Sequence, residues 1–367
     1  MSTYHPTPSY AQLRLPSEDL TADMDFFIQI GFRLDKIFPA DDPAVAMLSG
    51  FDLHLVLDKR VTSPPAVINI ITDTPETIAN GKKELIAPNG TVFHVLPRTQ
   101  TLVTPSTQHH FEVRKLSEAS SWVIGRAGML YRDLIPDRLG GSIIASHISI
   151  PEGGPVPDMV HYHTIGFQLI FCKRGWVKLV YEDQGPPFIL RAGDCVTQPP
   201  EIRHRVLEAS DHLEVIEIGV PAEHMTTIDH DLELPTTTYR PDRLFQGQRF
   251  CHHQVKDAVW EDWRIAGFRF RESGIKEATQ GDAAVHVIQP VQALQESPVV
   301  SHTTDILFNF VLSGAMRLAA EGQNIQHLAE GDAFVIPPDM KYQFTHISED
   351  LEFLEVALPG SFETMVH

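Results

Sequence analysis

Two long stretches of this chain repeat each other, and that repetition limits the fold more than any single motif. GRAGMLYRDLIPDRLGGSIIASHISIP (125–151) reads like AGFRFRESGIKEATQGDAAVHVIQP (266–290). In each, an aromatic residue precedes a basic–acidic pair (Tyr131, Arg132, Asp133 and Phe270, Arg271, Glu272). A glycine-marked turn follows, then an alternating strand carrying His147 or His286. Downstream, LIFCKRGWVKLV (169–180) matches NFVLSGAMRLAA (309–320), and AGDCVTQPPEIRHRV (192–206) matches EGDAFVIPPDMKYQF (330–344). Gly175 and Gly314 stand 139 residues apart (314 − 175), and Gly193 and Gly331 stand 138 apart (331 − 193). Two separate landmarks that agree to within a residue indicate an internal duplication.

Each copy is made of short runs that alternate apolar and polar residues, such as IIASHISI, FQLIFC, WVKLVY and EVIEIGV, broken by Gly-Asp and Pro-Pro turns. A period of two means strands, and many short strands between turn residues mean a sandwich or barrel. At 367 residues the chain exceeds what one hydrophobic core serves, and a 43% hydrophobic content suffices for several. No apolar run approaches the roughly 20 residues of a membrane helix. The N-terminal MSTYHPTPSYAQLRLPSED lacks the basic start and apolar stretch of a secretory signal. Three cysteines without CxxC spacing argue against a disulfide framework or a thiolate zinc site, so the expected location is the cytoplasm. A formal charge of −19 opposes nucleic-acid and anionic-membrane partners.

HYHTIGFQ puts His161 and His163 two apart on a strand, hence on one face, with Gln168 opening the next strand. His204 follows the turn after AGDCVTQPPEIR, and an antiparallel barrel can bring all four side chains to one interior point. Three imidazoles suit a divalent transition metal and leave positions open for water or substrate.

This segment resembles the cupin superfamily. Its first motif runs from a glycine to His-x-His, a glutamate three or four residues on, and a glycine six beyond. Here it reads His161, Tyr162, His163, then Gln168, then Gly175; the second motif reads Gly193, Pro199 and His204. Gln168 replaces the motif glutamate, Glu201 the middle glycine and Glu208 the last asparagine, and the leading Gly154 is one residue early. The resemblance implies two tandem jelly-roll (double-stranded β-helix) barrels in a mainly β protein. It also implies a divalent metal on His161, His163, Gln168 and His204, with Fe(II) leading and Zn, Mn and Ni as alternatives. Cupins with three histidines and no carboxylate ligand include Fe(II) dioxygenases that cleave rings or carbon–carbon bonds. In the second copy Val300, His302, Leu307 and Tyr342 take the equivalent positions, too few ligands for tight metal binding. That copy is expected to be structural and to offer a face for a homodimer.

Upstream, AQLRLP reads as a strand and DLTADMDFFIQIGF as an amphipathic helix capped by Asp19, with Leu20, Met24, Phe27, Ile28 and Ile30 on its apolar face. RLDKIF, AVAMLSG and DLHLVLD complete a βαβββ order. This resembles one module of the vicinal-oxygen-chelate (glyoxalase-like) superfamily, and residues 66–97 resemble a shortened second module. The resemblance places a second candidate metal set at Gln12, His54 and His94, with Ala66 at the fourth position. The expected organisation is therefore an α+β domain at 1–97, a linker at 98–120, a metal-holding barrel at 121–232, a linker at 233–258 and a metal-free barrel at 259–367. The leading reading is a metal-dependent dioxygenase of a small aromatic or oxygenated carbon compound. A non-catalytic binder of a sugar or carboxylate, and a Zn- or Mn-dependent isomerase or lyase, stay open.

Overall fold

A computed structural model describes residues 9–98, 101–118 and 122–367. The contacts divide the chain into two compact units, Met1–Thr101 and Leu102–His367. Among the described residues no helix is long and apolar enough to cross a membrane.

The first unit has the βαβββ order. Strand Leu13–Pro16 pairs in parallel with Leu53–Asp58, and Val45–Gly50 and Arg33–Phe38 continue a four-stranded sheet. The helix Leu20–Ile30 starts where the Asp19 carboxylate accepts from Ala22 N–H at 3.0 Å and ends at Gly31, whose φ of 118° few other residues adopt. Its apolar face differs from expectation at two positions. Ile28 is exposed, whereas Asp23 is buried and accepts a 2.6 Å hydrogen bond from Ser17 Oγ. The remainder forms a second sheet in which Val92–Pro97 lies between Val67–Thr72 and Glu84–Ile86. Leu15, Phe27, Leu55, Leu57, Ile70 and Phe93 make a core common to both sheets.

In the second unit each sequence copy forms a sandwich of two antiparallel sheets. The first has a seven-stranded sheet centred on Phe167–Arg174 and Leu213–Val220, facing a sheet built on Trp176–Tyr181, His204–Ala209 and His161–Thr164. The second repeats this with Ile306–Ser313 and Glu352–Leu358 facing Ala315–Ala320, Tyr342–Thr345 and Val300–His302. The duplication extends to register: His161 pairs with His204 as Val300 pairs with Tyr342.

The two seven-stranded sheets pack against each other. Alternation sends Phe167, Leu169 and Phe171 outward into a shared cluster with Phe308, Phe310 and Val356. The intervening Gln168 and Ile170 face their own barrel. Because both faces of these strands are buried, their sequences are nearly continuously apolar, as in FQLIFC.

The connecting segments, read as linkers, carry strands. Glu112–Arg114, which precedes the first barrel, pairs with Ala333–Ile336 of the second; Cys251–His253, which precedes the second, pairs with Cys195–Thr197 of the first. The exchange is reciprocal in detail. Leu116 N–H donates to Asp332 at 2.7 Å, and Val255 N–H donates to Asp194 at 2.7 Å. Buried Arg132 donates to the Gly331 carbonyl at 2.6 Å, and Arg271 donates to the Gly193 carbonyl at 2.9 Å. The repeated basic residue of the sequence motif thus ties each barrel to the Gly-Asp turn of the other.

Candidate metal centre

His161 and His163 point inward from one strand, and His204 reaches them from the neighbouring strand. Their ring centroids are 4.2 Å (His161–His204), 5.2 Å (His161–His163) and 5.3 Å (His163–His204) apart. All three are buried, and one ligand nitrogen of each lies within 4.8 Å of the others. The Nδ1 atoms are already engaged: His161 with the Met159 carbonyl (2.7 Å), His204 with the Ile202 carbonyl (2.9 Å), His163 with Thr226 Oγ1 (2.9 Å). Donation of Nδ1–H to a carbonyl fixes the tautomer and leaves Nε2 with its lone pair, the arrangement of metal-ligating histidine.

Burial pushes the three imidazoles below their ordinary range. Desolvation, then His161, His224 and Arg126, brings His163 to about 3. Desolvation followed by Arg126 lowers His161, and desolvation followed by the other two histidines lowers His204. They are neutral at physiological pH, as ligands must be. Among the described residues of this barrel, the buried polar atoms without a partner include His161 Nε2, Gln168 Oε1 and Gln198 Oε1. A divalent ion among the three histidines would satisfy His161 Nε2, so the triad fits such an ion.

A cavity of about 70 Å³ adjoins the triad. Its walls are chiefly apolar, among them Met129, Ile148, Ile170, Leu179, Val206 and Val215, with Tyr131, Tyr181, Gln198, Glu217 and Arg126 as the polar members. Sequence reasoning missed Glu217 and Arg126. Glu217 accepts from Gln168 Nε2 at 2.6 Å, which fixes the glutamine amide with Oε1 turned the other way. Arg126 pairs with buried Asp158, and its Nη1 is 3.5 Å from His161 Nδ1. The signal was available, since Glu217 in EVIEIGV recurs as Glu355 in EFLEVAL at the repeat spacing. Glu201, where the motif has glycine, holds a φ of 64°, so the turn keeps the glycine-like conformation without the glycine. Tyr162 points out of the barrel and lies under Arg203, 4.0 Å from its ring.

The second barrel holds an ion pair instead. His302 Nε2 engages the Ile336 carbonyl at 3.1 Å, Leu307 and Val300 are apolar, and Arg264 clasps Glu355 through two 2.6 Å hydrogen bonds. The residues of the second candidate set are spread over the two sheets of the first unit. Gln12 is exposed, the His54 ring lies tilted against Tyr10 with centroids 4.3 Å apart, and His94 lies 3.5 Å from Glu84 on a strand of the other sheet. Alternation explains this: Leu55 and Phe93 take the core side, so His54 and His94 turn away from it. The paired histidines of the connecting segments serve locally: His109 bonds Asp305 (2.6 Å), His110 lies 3.3 Å from Asp137, His252 stacks on Phe188 and His253 meets Arg271 (3.2 Å). Cys172, Cys195 and Cys251 are free.

No protein-family model matches the sequence, and no curated protein is similar to it. Solved structures are. A variant of oxalate decarboxylase from Bacillus subtilis aligns with a TM-score of 0.52 and 12% identity, over 73% of this chain and 80% of that one. The oxalate decarboxylase formate complex from Lactobacillus farciminis aligns with a TM-score of 0.52 and 14% identity, over 73% and 90%. The fold is a bicupin. Protein Ylba from E. coli, described under the family model DUF861, aligns with a TM-score of 0.50 and 10% identity, over 70% of this chain and 94% of that one. At such identities the likeness concerns the fold alone.

Proposed function

We propose that the first barrel binds a divalent metal ion on His161, His163 and His204, with Gln168 as a neutral fourth group, and that the chain is a dioxygenase of a small aromatic or oxygen-bearing compound. The observation that carries this reading is the convergence of three neutral imidazoles whose Nδ1 atoms are all held from behind. An ion there would supply an electrophile for a substrate oxygen and, as Fe(II), a redox partner for dioxygen. The chain's own contribution is an uncharged ligand set, which leaves more positive charge at the centre than three histidines with a glutamate. The apolar walls exclude water, and Glu217 holds the Gln168 amide in one orientation. A cavity lined by Tyr131, Tyr181 and aliphatic groups favours a compact ring or branched body over a small dicarboxylate.

Protein loaded anaerobically with Fe(II) is expected to take up oxygen with at least one member of a panel of aromatic acids and phenols. His204→Ala protein is expected to take up none. Absence of uptake across the panel at full iron occupancy would remove the dioxygenase. A second reading, a Zn- or Mn-dependent lyase or isomerase, draws support from Glu217, a carboxylate in the cavity able to accept a proton. Turnover by Zn-loaded protein without oxygen uptake would favour it. The first unit, with its βαβββ order, is read as a degenerate glyoxalase-like module that serves as a scaffold.

A further inference from the structure

The duplication supplies an internal control on the charge of the first barrel. Arg126 and Arg264 stand 138 residues apart (264 − 126), and so do Glu217 and Glu355 (355 − 217). In the second barrel these two residues meet, and both Glu355 oxygens are taken by Arg264. In the first barrel the equivalent arginine is drawn away to buried Asp158 at the cavity edge. Glu217 is left without a cation within ion-pairing distance among the described residues. Its Oε1 accepts from Gln168 Nε2 at 2.6 Å, and no described protein group bonds Oε2. Alternation along Leu213–Val220 sends Ile216 and Ile218 into the inter-barrel core and Glu217 into the cavity, beside His163, His204, Tyr131 and Tyr181. Glu217 is half-buried, and a carboxylate oxygen can only accept, so a ligand that fills the chamber and displaces water from this oxygen must donate to it.

We infer that Glu217 is a specificity-determining residue of this cavity, and that the natural ligand is a small apolar-bodied molecule presenting a hydroxyl or N–H donor to its free oxygen. The inference rests on reading this cavity as the substrate site. The structural contrast that carries it is a duplicated glutamate neutralised in one barrel and left open in the other. An ester, ether or carboxylate at the same place would set acceptor against acceptor, a mismatch of the kind that binding sites reject strongly.

Phenol and anisole are a matched pair of probes, one with the donor and one with it capped by a methyl group. Binding of each to full-length, Zn(II)-loaded protein, measured by calorimetric titration, is expected to favour phenol by tenfold or more. Glu217→Gln keeps an acceptor for Gln168 but turns an NH2 group toward the chamber, and is expected to bring the ratio, measured on variant protein loaded to the same zinc occupancy, within threefold. Glu217→Asp, which keeps the carboxylate on a shorter arm, is expected to retain a preference for phenol. Equal binding of the two probes by the wild-type protein would overturn the inference, whatever the variants do. So would an unchanged ratio in Glu217→Gln. Because the readout is binding to a redox-silent metal, this outcome is separate from the oxygen-uptake result.

Discussion

Replacing Glu355 with glutamine tests whether the second barrel is closed by its own ion pair. The Glu355 carboxylate is 1% exposed, the Arg264 side chain 18%, and two hydrogen bonds of 2.6 Å join them. Burial alone would raise the Glu355 carboxyl, but the Arg264 charge, with His286 3.7 Å away on the other side, holds it at about 2. Against an ordinary value of 4.5, that corresponds to about 3 kcal/mol of preference for the charged form. Removing the carboxylate also strands a guanidinium inside the barrel, and breaking such a pair on one side costs about 3–5 kcal/mol. Glu355→Gln is therefore expected to lose about 3–5 kcal/mol in equilibrium urea unfolding followed by far-UV circular dichroism. The double variant Arg264→Met with Glu355→Met removes both charges and is expected to recover to within about 1–2 kcal/mol of the parent. The sign with pH follows from a folded value below the unfolded one. The stabilisation is complete above pH 4.5 and is lost as pH falls toward about 2, where parent and Glu355→Gln curves converge. A loss below about 1 kcal/mol in the single variant, or a double variant as unstable as the single, would refute the reasoning.

Three further outcomes are expected. His204→Ala should reduce the metal content of purified protein, measured by mass spectrometry, to background, whereas His302→Ala should leave it unchanged. Thr226→Val removes the partner of His163 Nδ1 and should weaken metal binding roughly 10- to 100-fold in chelator competition. Gly331 has a φ of 89°, and a Cβ there would sit 2.7 Å from Leu116 Cδ2, so Gly331→Ala should lower the melting temperature more than Gly322→Ala. Gly322 has a φ of 73° and nothing within 4 Å of its Cβ, which leaves only the backbone penalty of about 1–2 kcal/mol.

The barrels and the triad were legible in the sequence because both depend on spacing. A repeat needs no knowledge of contacts, and two histidines on one strand must share a face. Gln168 was legible for the same reason; its partner Glu217 was legible as a repeated residue but not as a neighbour of Gln168. Glu217 lies 49 residues away and becomes a neighbour only once its strand is paired with that of Gln168. The reciprocal strands escaped notice because Glu112–Arg114 and Cys251–His253 are only three residues each and take their partners from the other barrel. Burial of Asp23 was not legible because it depends on the Ser17 hydroxyl, which donates to its carboxylate. Glutamine and histidines at metal-capable positions of the first unit were legible as residue types. Their directions depended on which side of each sheet the core took.

The exchanged strands mean that the borders of the repeat are not places to divide this chain. A fragment beginning at residue 259 would leave the Ala333–Ile336 backbone without its outer neighbour, and a fragment ending at 232 would do the same to Cys195–Thr197. Each would expose a bare sheet margin open to pairing with other molecules, so separately expressed halves should clump rather than fold.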